Sequence, residues 1–208
     1  MAEKSYPIGR LLRANISGFV AGTRVLVQDA PRFGTMVYAE PQPGRRIYGL
    51  IHDIHVDDDG LVQQLVTSPG VDESVIADNR ENRNVPLEMS VLAIGHQEQD
   101  GRILHLLPPR PALSLDVLTQ CSNTDVIAFT SAGFGYLRHL LRDPDLPIGE
   151  LIAAHIQQAA AAHKSAGNTQ WPLQAAQEII TLLRDDYPTL MQVMSALSDA
   201  KLEPGVAQ

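Results

Sequence analysis

Apolar and polar positions alternate through the first half of the chain and recur at three- and four-residue steps through the second. IGRLLRA (8–14), TRVLVQ (23–28), TMVYAE (35–40) and RIYGLIHDIHV (46–56) are short segments rich in β-branched residues. Turn formers separate them at Ser17-Gly18, 29–31, 41–44 and 57–60. In TRVLVQ, Val25 and Val27 share one face while Arg24, Leu26 and Gln28 share the other. A period of two turns one face of a strand toward a core. MSVLAIGH (89–96) and GRILHLL (101–107) are again strand-like, joined by a hairpin loop that ends at Gly101. The stretch 61–88 differs. Within it, SPGVDESVIADNRE has Ser68, Pro69 and an acidic first turn, which predicts a loop and short helix inserted between strands. Several short strands without intervening long helices predict a small antiparallel β-barrel of about six strands.

The period changes after LPPRPALSLD (107–116), where Pro108, Pro109 and Pro111 prevent a helix. FGYLRHLL sets Phe134, Leu137 and Leu141 at helical spacing. A second stripe carries Ile148, Leu151, Ile152, His155, Ile156 and Ala159, with Pro147 at its start and Gly167-Asn168 at its stop. Leu173, Ala176, Ile180 and Leu183 form a third stripe, and Leu190, Val193, Met194 and Leu197 a fourth beyond Tyr187-Pro188. The expected fold class is therefore α+β. It comprises a barrel over 1–107, a Pro-rich linker over 108–116, and a helical domain of three or four helices over 117–208.

Composition narrows the function. The 208 residues are 44% hydrophobic, enough for a packed core. Aromatics are 5%, too few for a base-stacking platform. Net charge is −8 and pI near 5.3, with three lysines and no basic run longer than Arg45-Arg46. Nucleic-acid affinity rests largely on cations displacing counterions, so no direct nucleic-acid binding is expected. The single cysteine, Cys121, allows no intrachain disulfide and suits a reducing cytoplasm as a buried small apolar residue. No apolar run approaches the roughly 20 residues that span a bilayer, and MAEKSYPIGR lacks the apolar core of a signal peptide.

The chain has no Gly-Lys pair, hence no P-loop, and no H-E-x-x-H or G-x-S-x-G. Gly133 and Gly135 make only G-x-G, without the third glycine or a βαβ context. No catalytic residue and no cofactor are expected. Metal ligands, if any, would come from HDIHVDDDG: His52, Asp53 and His55 are suitable donors. On a regular strand, however, His52 shares a face with Ile54 and diverges from His55, so no metal site is expected either. His155, on an apolar stripe, reads as an interfacial histidine. Arg80, Arg83 and Arg110 could recognise carboxylates or phosphates, and pairing with the chain's own acids is the competing reading.

IGR at 8–10, the glycine before a middle strand at Gly34, and YGLI at 48–51 resemble the HAS-barrel, the small barrel of HerA-type DNA translocases and of rotary ATP-synthase subunits. The resemblance covers roughly the first half. Translocases continue into a P-loop ATPase, and this chain continues into helices. In that family the barrel mediates ring packing and docking, including onto a NurA-type nuclease. The resemblance thus implies a non-catalytic assembly or adaptor subunit that self-associates or docks beside a separate motor or nuclease-type partner. Two other readings remain open. One is a small-ligand module with a pocket between barrel and helices. The other is a metal-dependent hydrolase or nuclease working through 52–59.

Overall fold

Six antiparallel strands close on themselves in the computed structural model. It describes residues 5–25, 29–56, 60, 67, 68, 70, 72–82, 85–142 and 146–200, with the backbone alone for 78–82. The strands are β1 (Tyr6–Ala14), β2 (Gly18–Val25), β3 (Met36–Gln42), β4 (Arg45–Val56), β5 (Val85–Gln97), β6 (Ile103–Leu104) and β7 (Val117–Gln120). Their order is β2-β1-β7-β3-β4-β5-β6, and β2 also pairs with β5. That last pairing closes the barrel, while the two-residue β6 extends β5 at one end. Helix α1 (Glu73–Asn82) lies between β4 and β5. After β7 come α2 (Asn123–Ser131), α3 (Leu137–Leu140), α4 (Ile148–Ser165), α5 (Trp171–Leu182) and α6 (Tyr187–Asp199).

The burial pattern follows from two cores that share one wall. Ile8, Leu11, Phe19, Val37, Ile47, Ile51, Met89, Val91 and Leu118 fill the barrel. Met36, Tyr38, Tyr48, Leu50 and Ile94 point from the same strands into a second core, built with the helices. Ile47 to Ile51 are consequently all buried, because a strand covered on both faces reads as a continuous apolar run. On β5, Leu87, Met89, Val91 and Ala93 alternate with more exposed neighbours until the helices cover the strand's end. Each fully buried aliphatic side chain contributes about 1.5–3 kcal/mol relative to exposure. At Gly49 a Cβ would stand 2.4 Å from Val91 Cγ1, so the close approach of β4 to β5 there requires glycine.

The helical stripes hold for α4, where Leu151, Ile152, His155, Ile156 and Ala159 are buried, and for α6, where Val193 and Leu197 are. Gly167, at φ 85, ends the turn after α4.

Four expectations need correction. Residues 117–120 are not helical: β7 pairs with β1 on one side and β3 on the other, so it belongs to the barrel. The Pro-rich segment before it is no free spacer, since Ala112 is buried in the barrel core, Leu115 N–H donates to Leu11 O at 2.8 Å, and Leu11 N–H donates to Asp116 O at 2.9 Å. Of 101–107 only β6 is strand, and the Gly101 turn closes the β5–β6 hairpin through Gly101 N–H to Glu98 O. On α5 the buried stripe is Trp171, Ala175 and Ile179, while Leu173 and Ile180 of the expected stripe are exposed and its Leu183, just beyond the helix, is buried. Two apolar stripes run along this helix, and the one holding the large indole takes the core. Of TRVLVQ, residues 26–28 lie outside the described residues, and β2 instead begins at Gly18.

Candidate functional site

The helices are held on the barrel by polar contacts as well as by the shared core. Ser122 caps α2 and forms a capping box with Asp125. Asp125 also accepts from Ser5 at 2.7 Å and faces Arg46 of β4 at 2.9 Å. Burial opposes the charge on Asp125, but the bonds from Ser122 and Ser5, together with Arg46, outweigh it and hold the carboxyl below its ordinary range. Arg46 lies 4.3 Å over the Tyr38 ring. Burial pushes the neighbouring Tyr48 phenol up to about 12.

Histidines fill the seam. Thr130 hydroxyl donates to Val126 O at 2.7 Å, so its oxygen accepts from His163 Nε2 at 2.8 Å. The His163 ring stacks on Trp171 at 4.6 Å. His155 Nε2 meets the Tyr136 hydroxyl at 3.0 Å, and its Nδ1 has no partner among the described residues. Burial lowers His155 to about 4, which leaves a neutral, structural ring at pH 7. Cys121 is buried, and burial pushes its thiol up, so it is no thiolate nucleophile.

Two surface features are not explained by folding. The first is the turn before β7. Leu115 is the non-glycine residue with positive φ among the described residues, at 74°. Its N–H donates to Leu11 O, its carbonyl accepts from Arg10 Nη1 at 2.9 Å, Ser114 Oγ donates to Leu12 O, and Leu113 N–H donates to the Asp116 carboxylate at 2.8 Å. These bonds fix a conformation that an L-residue adopts at a cost of about 1–2 kcal/mol. The apolar side chains stay outside: Leu115 is 70% exposed, Leu113 64% and Leu12 50%.

The second is a cleft of about 940 Å³ between the 29–35 loop, the ends of β1 and β7, and α4. Gly34 seats the loop on α4. It has φ 76, and a Cβ there would stand 2.5 Å from Ala154 Cβ. Gln158 Oε1 on α4 accepts from Met36 N–H at 3.1 Å, and Gln120 Oε1 accepts from the Tyr6 hydroxyl at 2.8 Å.

Among the described residues, those singled out in the sequence are not gathered into one site. A register shift between Ile51 and Asp53 makes His52 the extra residue of a β-bulge. His52 lines a 290 Å³ hollow with Asn15 and Ser90, while Asp53 and His55 are exposed. No three His, Cys, Asp or Glu side chains gather around a metal-sized space among the described residues. Asp57, Asp58 and Asp59 lie outside those residues. The Arg80 side chain and all of Arg83 do as well, and Arg110 is exposed. Sequence reasoning missed α2, although Ser122 and Asp125 before an apolar run are a capping-box signal. It also missed the cleft, whose lining is scattered from Tyr6 to Ala161. Among the described residues, no helix is long and apolar enough to cross a membrane. Compared with protein-family models and with curated proteins, the chain matches none.

Proposed function

We propose that this protein is a non-catalytic assembly subunit that associates with further copies of itself through the outer wall of its barrel. The observation that carries the reading is Leu115, an apolar side chain 70% exposed on a backbone held at φ 74. Strain kept at an exposed apolar position serves recognition better than folding. Leu12, Leu113 and Val117 extend the apolar surface around it, and Arg10 is exposed on the strand of Leu12, where Arg13 is paired with Glu88 at 2.9 Å. On a chain of net charge −8, a second copy offers acidic surface to that cationic rim. Contact of this patch with a different surface of the next copy would be head-to-tail and would close into a ring where the rotation allows.

The closed small barrel and its likeness in sequence to the HAS-barrel support the same reading, including docking beside a separate motor or nuclease-type partner. The test is light scattering on the eluting protein, comparing the natural chain with Leu113→Ser/Leu115→Ser. A defined oligomer that the double variant reduces to monomer, with unchanged thermal stability, is the expected result. A natural chain that is monomeric at micromolar concentration overturns self-association.

A further inference from the structure

We propose that the cleft between the 29–35 loop and α4 binds an organic oxyanion, a carboxylate or phosphate group on a larger polar molecule. The cleft, about 940 Å³, is large enough for an organic ligand rather than a lone ion. Its chemistry follows from which ends of its amides are already used. Met36 N–H can only donate, so Gln158 must turn its Oε1 to the strand, and its two N–H donors are left for the cleft. Gln120 Oε1 accepts from the Tyr6 hydroxyl, and in that arrangement its N–H donors are also left for the cleft, although a hydroxyl, which can accept as well as donate, does not impose the orientation as Met36 N–H does. Arg32 is exposed on the cleft's rim and makes no ion pair among the described residues. Thr35 lines the same space, is only 7% exposed, and its hydroxyl makes no hydrogen bond among the described residues. Asn123 adds a side-chain amide without a described partner.

Donors therefore exceed acceptors, with one guanidinium to fix charge. That is the pattern that recognises oxyanions. Asp29 is the acid of the lining. It lies three residues from Arg32 in the same loop, and it suits a hydroxyl or ammonium group beside the oxyanion on the ligand. Ala154 and Ala161 of α4 give the floor an apolar component for the ligand's carbon frame.

The experiment follows the side-chain amide signals of Gln120 and Gln158 by NMR while inorganic phosphate and, separately, citrate are added at constant ionic strength. Sodium chloride serves as the control for general screening. Saturable shifts at both glutamines with either anion, and not with chloride, are expected. Saturation by phosphate alone identifies a phosphate-bearing ligand, and saturation by citrate alone a polycarboxylate. Arg32→Ala, at an exposed position, is expected to weaken binding by about tenfold or more, since a charged hydrogen bond is lost. Thr35→Val, which keeps the shape, is expected to weaken it less with the thermal midpoint little changed. No saturation by either anion, or equal binding by Arg32→Ala and the natural chain, overturns the proposal.

Discussion

Arg46 Nη1 and Asp125 Oδ1 stand 2.9 Å apart across the seam between β4 and α2. One side chain comes from the barrel wall and the other from the first turn of the first helix beyond it. The pair is mostly shielded, with 27% and 16% of the side chains exposed, and Ser5 and Ser122 complete the carboxylate's hydrogen bonds. It ties the first turn of α2 to β4.

Asp125→Ala removes the pair and the capping box together. A loss of about 1–2 kcal/mol is expected, the range for a helix cap, read as a lower midpoint in urea. The carboxyl titrates below its ordinary value in the folded chain. Its contribution is therefore complete above about pH 4 and is lost as pH falls through the folded value. The difference between the natural chain and Asp125→Asn should shrink in acid, and a difference constant down to the acid limit would count against the ion pair.

His155 predicts acid sensitivity at higher pH. It titrates near 4 when folded and near 6.5 when unfolded. Between these values the unfolded chain binds the proton and the folded chain does not, so lowering pH favours unfolding. The full window is worth on the order of 3 kcal/mol. His105, His139 and His163 are lowered mainly by burial too and act in the same direction. His155→Gln should flatten the stability profile between pH 6.5 and 4, whatever its stability at pH 8.

Leu115→Gly separates strain from contact. Glycine relieves about 1–2 kcal/mol of left-handed strain and loses about 0.5–1 kcal/mol in chain entropy. The variant is expected to melt no lower than the natural chain while losing association. Leu115→Val should melt lower, because a β-branched residue fits positive φ worse. Equal melting of all three would remove the strain argument.

Gly34→Ala places a methyl 2.5 Å from Ala154 Cβ at φ 76. The backbone penalty of about 1–2 kcal/mol combines with overpacking of about 1–3 kcal/mol. Lower stability and a disturbed cleft are expected together, checked by denaturant unfolding and by the Gln158 amide signal.

The barrel was legible because period-two alternation survives in β5 and because turn formers punctuate the strands, whereas the register shifts in β1 set its buried Ile8 and Leu11 three residues apart. β4 was legible as a strand, but its continuous burial reflects helices on the outer face, which no local pattern announces. β7 was hidden by its length. In four residues, only Leu118 points into the barrel core, and three prolines just upstream suggested a spacer. On α5 the sequence holds two apolar stripes, and only the stacking of Trp171 on His163 decides between them. The cleft depends on distant residues whose proximity is tertiary. The turn at Leu115 left no sequence signal, because its left-handed backbone sits on a residue type that ordinarily avoids it.

The place of β7 between β1 and β3 also bears on the order of events during synthesis. Strands β1 to β5 emerge first, yet they cannot form a closed wall until residues 117–120 arrive to bridge β1 and β3. Until then the nascent chain carries two unpaired strand borders, the condition that templates misassembly. The long sequence separation of this final pairing slows closure. A chain ending at residue 107 would lack β7 and keep the borders of β1 and β3 open permanently.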